Sequence, residues 1–320
     1  MNPDTIGVDL GGTHLRVALV DCTGSIGHDV RLETPRDGWR SVLSALADGI
    51  TNVAEAGRAD GLTVGAVGIG IAALVDDDGV ARYAPNLHGL VDVPLRAEIA
   101  ASVGLPVAVD NDANVAARGE LAHGAARGAR HALVLTLGTG IGGGIILDGH
   151  VYRGAHGFAA EVGHWQFDPH GRMCACGEPG HWEAWASGTA LGALARDAVV
   201  RGDAPSVLAR AGGDASAVTG LHVGEAATDG ASDALAILDQ YADYVALGFA
   251  GLTNILDPEI IVVSGGLVEL GDVLLGPVRD RFHAHLEGAR HRPPVPIVAA
   301  ALGDHAGVIG AAVLARDVVP

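Results

Sequence analysis

The chain has 320 residues and carries 20 Lys+Arg against 38 Asp+Glu, a formal net charge of −18. A field of that sign repels a phosphate polyanion, so nucleic acid is not expected as a partner. All 20 basic side chains are arginine, which excludes Schiff-base and pyridoxal-phosphate enzymes, Walker P-loop NTPases and protein kinases, each of which needs a lysine at a fixed place. The length suggests about two domains. Residues 5 to 10 and 14 to 20 are rich in β-branched side chains and flank Gly11-Gly12, predicting a hairpin whose turn needs glycine conformations. A third strand is expected to end near Leu32. Helical spacing of Trp39, Val42, Leu46, Ile50 and Val53 follows over 39 to 57, then a buried strand over 62 to 71. Beyond a turn-rich segment at 76 to 89 come a helix near 93 to 103, a short strand at 105 to 109, and a helix opening at Asp110-Asn111-Asp112. This order predicts an α/β domain.

The pattern restarts at 132. LGTGIGGGIILD (137 to 148) can be laid over LGGTHLRVALVD (10 to 21), consistent with an internal duplication. A loop-rich insert dense in His and Cys occupies 151 to 183, with helices expected at 184 to 200 and 232 to 256. The second carries Leu238, Tyr241, Val245, Leu252 and Ile255 on one side and stops at Asp257-Pro258. Strand 259 to 263 runs into Ser264-Gly265-Gly266, and a last helix fills 304 to 317. The opening MNPDTIGVDL has no basic n-region, and the apolar stretches 131 to 147 and 296 to 315 are broken by a glycine run and by Asp304 and His305. Neither a signal peptide nor a membrane span is expected. Three cysteines, Cys22, Cys174 and Cys176, fit a reducing cytoplasm and a metal knuckle better than a disulfide framework. Cys22 is expected in the core and Glu120 on the surface.

Asp9-Leu10-Gly11-Gly12-Thr13 follows an apolar strand, and its backbone amides and Thr13 hydroxyl suit a phosphate, with Asp9 beside the accompanying metal. One glycine pair alone is an ordinary tight turn. Gly138-Thr139-Gly140-Ile141-Gly142-Gly143-Gly144, however, holds five glycines in seven residues, an entropic cost that a purely structural turn rarely carries. Together with Ser264-Gly265-Gly266 the two hairpins suggest a nucleotide held between two lobes.

With these motifs the sequence resembles the ROK family of bacterial sugar kinases, in the actin-like ATPase superfamily, and its glucokinase branch in particular. The resemblance runs through DLGGT (9 to 13), YAPNL (83 to 87), DNDAN (110 to 114), the glycine hairpin, EVGH (161 to 164), CACGEPGHWE (174 to 183) and NILDPEIIVVSGG (254 to 266). It implies an α/β architecture of two actin-like (ribonuclease H-like) lobes with the active site in the interdomain cleft. The implied domains are 1–115, a small α/β domain; 116–300, a large one with a zinc-binding insert; and 301–320, a C-terminal helix packing back on the small domain. The implied activity is phosphorylation of a hexose by ATP with Mg2+, glucose first. Another hexose (N-acetylmannosamine, N-acetylglucosamine or fructose), polyphosphate as donor, and a non-enzymatic sugar-sensing regulator are the alternatives. Such a regulator needs a helix-turn-helix ahead of the body, and four residues before the first strand leave no room for one.

Residue by residue, the resemblance makes Asp112 the catalytic base, although an Asp at that place is more often an N-cap. Asn111, Glu161, Glu183, His164 and, more weakly, Asn86 become sugar contacts. Asp9, Gly11, Gly12, Thr13, Gly138, Thr139, Gly140, Gly265 and Gly266 become nucleotide contacts. The zinc set is His164, Cys174, Cys176 and His181, with His181 where the family has a third cysteine and His156 and His170 as spare ligands. A Cys2His2 set closes the coordination sphere and leaves no open position for a hydrolytic water. His14 in place of lysine, and Ala72-Ala73 in place of Pro-Gly, depart from the family pattern. A homodimer or homotetramer in the cytoplasm is implied by analogy alone.

Overall fold

The computed structural model describes residues 3–84, 87 and 89–319. In chain order, β1 (Asp4–Leu10), β2 (His14–Val20) and β3 (Ile26–Glu33) lead into α1 (Trp39–Ala59) and β4 (Val64–Ile71). The short strands β5 (Leu74–Val75), β6 (Ala81–Tyr83) and β7 (Val91–Val93) precede α2 (Leu95–Val103), β8 (Val107–Asn111) and α3 (Asp112–His123). Next come β9 (Ala132–Leu137), β10 (Ile141–Leu147) and β11 (His150–Val151), then α4 (Glu183–Ala186), α5 (Gly188–Arg201), α6 (Pro205–Arg210), α7 (Gly220–Thr228) and α8 (Ser232–Leu256). The chain closes with β12 (Ile260–Ser264), α9 (Asp272–His285), β13 (Ile297–Ala299) and α10 (Ala306–Ala315). Two compact units result: Met1–Val134 with Gly144–Ala160 and Ala300–Pro320, and Leu135–Gly143 with Glu161–Ala299.

The first unit is built on a sheet of order β3-β2-β1-β4-β8. β1 is antiparallel to β2, with Leu10 opposite Leu15, and parallel to β4, which is parallel to β8 with Ile71 opposite Asn111. One face buries Ile6, Val8, Leu10, Ile69 and Ile71 against Leu46, Ile50 and Val53 of α1. The other face takes α10, which packs on β1, β4 and α3. That helix is apolar nearly all round because it is enclosed on several sides. Its approach is close enough that a side chain at Gly7 would meet the carbonyl of Val308, and one at Gly68 that of Ala311. The glycines of these strands therefore admit a helix backbone. The segment read as turn-rich folds into a small antiparallel sheet of order β5-β6-β7.

In the second unit β12 and β13 pair in parallel, Val262 opposite Val298, within a sheet of order β11-β10-β9-β12-β13. α8 buries Leu238, Tyr241, Val245 and Phe249. Trp182 lies against Gly248 and donates its indole N–H to the Tyr244 carbonyl at 2.9 Å, while the Tyr241 hydroxyl donates to the Ala186 carbonyl at 2.6 Å.

Three sequence expectations are corrected. Ile255, placed on the buried side of α8, is 76% exposed, although Leu252 and Thr253 just before it are buried. Cys22 is exposed, in the turn after β2 rather than in the core. Glu120 is fully buried: its carboxylate accepts from the backbone N–H of Ala125 (2.7 Å), Ala301 (3.2 Å) and Leu302 (2.9 Å), tying α3 to the segment before α10. Among the helices, α6, α7 and α9 were not foreseen; Pro277 and a charged surface hide the period of α9.

Candidate active site

In the first unit the strand-to-helix junction β8–α3 carries the proposed base. Asn111, not Asp112, is the N-cap: its Oδ1 accepts from Ala113 N–H (2.9 Å) and Asn114 N–H (3.2 Å). Its amide donates to the Ala73 carbonyl at 3.2 Å, which fixes the Ala72-Ala73 stretch against the junction. Asp112 is thus released from capping and takes the first helical position, half-buried, with Oδ1 accepting from Ala113 N–H at 2.9 Å. Burial raises its pKa above the usual carboxylate range, more than the backbone N–H groups of the first turn lower it. Desolvation thus outweighs the stabilising effect that a helix N-terminus has on a carboxylate.

Asp9, at the end of β1, abuts Gly307 in the first turn of α10. Its carboxyl is pushed up to about 6 by burial and then by Asp112, against the lowering effect of Arg16. A folded-state pKa above the unfolded one means that the folded state binds the extra proton, so stability falls as pH rises from about 4 to about 6. At two pKa units this is about 3 kcal/mol at neutral pH. Asp9→Asn is accordingly expected to raise the thermal midpoint at pH 7.5 about three times as much as at pH 4.5, where most of the penalty has yet to develop. Melting curves at the two pH values check this, and an equal shift at both would count against the assignment.

The turn after β1 closes by a bond from Gly11 N–H to the His14 carbonyl (3.0 Å), and the Thr34 hydroxyl donates to the Gly11 carbonyl (2.7 Å). Thr13 and His14 are exposed. Neither Gly11 here nor Gly138 and Gly140 in the other hairpin has a positive φ, so the expectation of special glycine conformations is corrected. At Gly138 the space beside the backbone is open, whereas at Gly140 it is filled by the Glu183 carboxylate. Among the glycines of these two hairpins and the Ser264-Gly265-Gly266 turn, only Gly265 has a positive φ, 93°, where it passes against Leu137.

In the second unit Glu183 accepts from Ile141 N–H through Oε2 (2.8 Å) and from the Cys174 thiol through Oε1 (3.4 Å). The hairpin turn is also held by the start of α5: Gly188 N–H donates to the Gly138 carbonyl (2.7 Å) and the Thr189 hydroxyl to the Thr139 carbonyl (2.7 Å). Glu161 is exposed and leads the short turn Val162–His164, where a Cβ at Gly163 would press on the Ile141 carbonyl. Asn86 lies outside the described residues.

His164, Cys174, Cys176 and His181 converge, one ligand atom from each lying within 4.8 Å of the others. Cys176 Sγ is 3.2 Å from His181 Nδ1, Cys174 Sγ 3.8 Å from His164 Nδ1, and the two Nδ1 atoms are 3.4 Å apart. Tetrahedral zinc with these ligands has edges of roughly 3.3–3.8 Å, so the donor set fits the ion. Burial, with Cys176 and Glu183 nearby, pushes the Cys174 thiol up to about 12, and a bound cation would deprotonate it. His156 and His170 are not part of this group.

One feature of the second unit escaped sequence reasoning. A pocket of about 370 Å3 is lined by Arg210, Leu221, Gly224, Glu225, Gly266 and Leu270. Of these only Gly266 belongs to a recognisable motif. The small residues Gly220 and Gly224 of α7 are the remaining signal, and they become meaningful only once that helix is in place.

A model of the ROK family matches residues 5–318. The chain is 39% identical to the glucokinase of Streptomyces coelicolor over 99% of its length and 98% of that protein's. It is 37% identical to the glucokinase of Thermotoga maritima, covering 98% of this chain and 97% of that one. The crystal structure of a ROK family glucokinase from Streptomyces griseus in complex with glucose and AMPPNP superposes with a TM-score of 0.86 at 38% identity, covering 98% of this chain and 99% of that one. With the family model spanning nearly all of the chain and relatives 37–39% identical over its whole length, the protein belongs to the ROK family.

Proposed function

We propose that this protein is a hexose kinase that transfers the γ-phosphoryl group of ATP to the 6-hydroxyl of glucose, with Asp112 as the base. The observation that carries the mechanism is the β8–α3 junction. Asn111 caps the helix, which leaves Asp112 Oδ2 available, and burial makes its carboxylate a stronger proton acceptor than a solvated one. Phosphoryl transfer asks the protein for positioning and charge stabilisation more than for covalent chemistry. Asp112 orients the attacking hydroxyl and takes its proton as the bond to phosphorus forms and the bond to the ADP oxygen breaks. Asn111, Glu161, His164 and Glu183 are assigned to the sugar hydroxyls, where an unpaired partner would penalise a wrong epimer. His164 directs Nδ1 to the metal cluster, so Nε2 is the nitrogen left for the sugar.

On the nucleotide side, Gly11, Gly12, Thr13, Gly138, Thr139 and Gly140 are assigned to the phosphates and Gly265-Gly266 to the nucleoside. The pocket beside Gly266, with Leu221 and Leu270 as apolar walls, suits the purine. Asp9 is the residue that would hold Mg2+, and the ion would neutralise charge on the phosphates. Zinc on His164, Cys174, Cys176 and His181 is assigned a structural role. The likeness to relatives named glucokinase supports glucose ahead of the other hexoses as the substrate, and a homo-oligomer in the cytoplasm is the accompanying assignment.

The test is ADP release from MgATP with glucose, mannose, fructose, N-acetylglucosamine, N-acetylmannosamine and no sugar. Glucose is expected to give the highest kcat/KM, by at least tenfold over the N-acetylated sugars. Turnover on an N-acetylated sugar above that on glucose would overturn the substrate, and no turnover on any sugar would overturn the activity.

A further inference from the structure

Arg153 lies eight residues before Glu161, in the segment after β11 that belongs to the first unit. No motif contains it. Its Nε sits 3.0 Å from Oδ2 of Asp110, the last carboxylate of β8, which is 1% exposed. The other oxygen of Asp110 accepts from Asn111 N–H (2.8 Å) and from the Asn114 amide (3.3 Å), so this one buried side chain spans the junction that carries Asp112. The two remaining arms of the guanidinium reach the β5–β6 turn: Nη1 donates to Asp77 Oδ1 (2.6 Å), and Nη2 faces the carbonyls of Val75 and Asp76 (3.4 Å each). Gly157 presses on the same turn, where a Cβ would meet the Val75 carbonyl.

A buried carboxylate needs a compensating cation, and the planar guanidinium spreads its donors over three nitrogens, so it reaches partners farther apart than the compact ammonium of a lysine can. If Arg153 only neutralised Asp110, one contact would suffice. Instead it joins three segments: the strand end that aims the base, the turn beyond Ala73 to which Asn111 is bonded, and the loop that continues into Glu161 and His164. The geometry points to Arg153 as a positioning residue for phosphoryl transfer, acting through Asp110 on the orientation of Asp112. This rests on the hexose kinase reading.

The experiment compares Arg153→Lys in the parent and in an Asp112→Asn background, with kcat, KM, thermal midpoint and amide exchange measured on each protein. Lysine keeps the charge and, with it, the fold. In the parent, kcat is expected to fall about tenfold with the KM for ATP within twofold, and amide exchange at 111 to 114 to speed up. In the Asp112→Asn background, where no base remains to be aimed, single-turnover rates are expected to show no further loss. A folded Arg153→Lys with kcat within twofold of the parent would overturn the proposal, as would an equal fractional loss in both backgrounds. Amide exchange reads the junction even in a protein without kinase turnover. Unchanged exchange at 111 to 114 would overturn the positioning role, whereas absent turnover in the parent would overturn only the reading on which it rests.

Discussion

Asp112→Asn is expected to lower kcat for glucose phosphorylation by between about 100-fold and 10,000-fold, the range that a general base supplies, with glucose affinity unchanged within a few-fold. The substitution is isosteric, and its amide oxygen can still accept from Ala113 N–H, as Asp112 Oδ1 does at 2.9 Å. The helix start does not depend on it, because Asn111 provides the cap. What disappears is the proton acceptor. Because burial raises the Asp112 pKa, ionised Asp112 costs the folded state stability at neutral pH, so the variant should melt no earlier than the parent there. The same shift places the acid limb of kcat above the ordinary carboxylate range: activity falls as pH drops and Asp112 takes up its proton. That limb should be missing from whatever activity the variant retains. ADP release, glucose titration by tryptophan fluorescence and melting curves measure the three quantities. Turnover within tenfold of the parent would remove Asp112 from its role.

The second large effect concerns the Cys/His cluster. The purified protein is expected to hold about one zinc per chain, and His181→Ala to lose it together with about 10 °C of thermal midpoint. This follows because metal-binding free energy in such a loop is folding free energy, and each kcal/mol lost moves the midpoint of a domain this size by about 2–4 °C. The segment around Cys174 and Cys176 has little core of its own: Met173, Ala175, Cys176, Gly177, Glu178 and Pro179 are all exposed. Its loss should also reach the chemistry, since Glu183 links Cys174 to Ile141 at the glycine hairpin. His181→Cys, which keeps a zinc-competent donor at the same place, should retain both metal and midpoint. Zinc analysis and melting curves with and without a chelator decide the matter. A protein without zinc that melts the same in chelator would show that the four side chains hold no ion.

Much of the fold can be read along the chain because it is local. The spacing over 39 to 57 becomes α1, with Val42, Leu46, Ile50 and Val53 buried, since a 3.6-residue period needs only one apolar partner to become a helix. The strand and helix that meet at Asp110-Asn111-Asp112 are likewise legible, whereas the grouping of His164, Cys174, Cys176 and His181 is implied by the family resemblance. Long-range packing was not. Glu120 looks like any helical acid until Ala301 and Leu302 bring their N–H groups to it across 181 and 182 residues. Cys22 looks like a core residue until the turn after β2 places it in solvent.

By itself the sequence determined the α/β alternation, the two glycine hairpins and the residue types on which sugar-kinase chemistry depends, because period, turn chemistry and short motifs act over a few neighbours. The tertiary structure decided which member of the Asp110-Asn111-Asp112 cluster caps the helix and which is left half-buried with its pKa raised. It decided that Gly7 and Gly68 exist to admit α10, and that Arg153 answers the buried charge of Asp110. Burial, carboxyl pKa and ion pairing depend on what the rest of the chain brings alongside, and residues distant in sequence meet only when the sheet and its helices close around them.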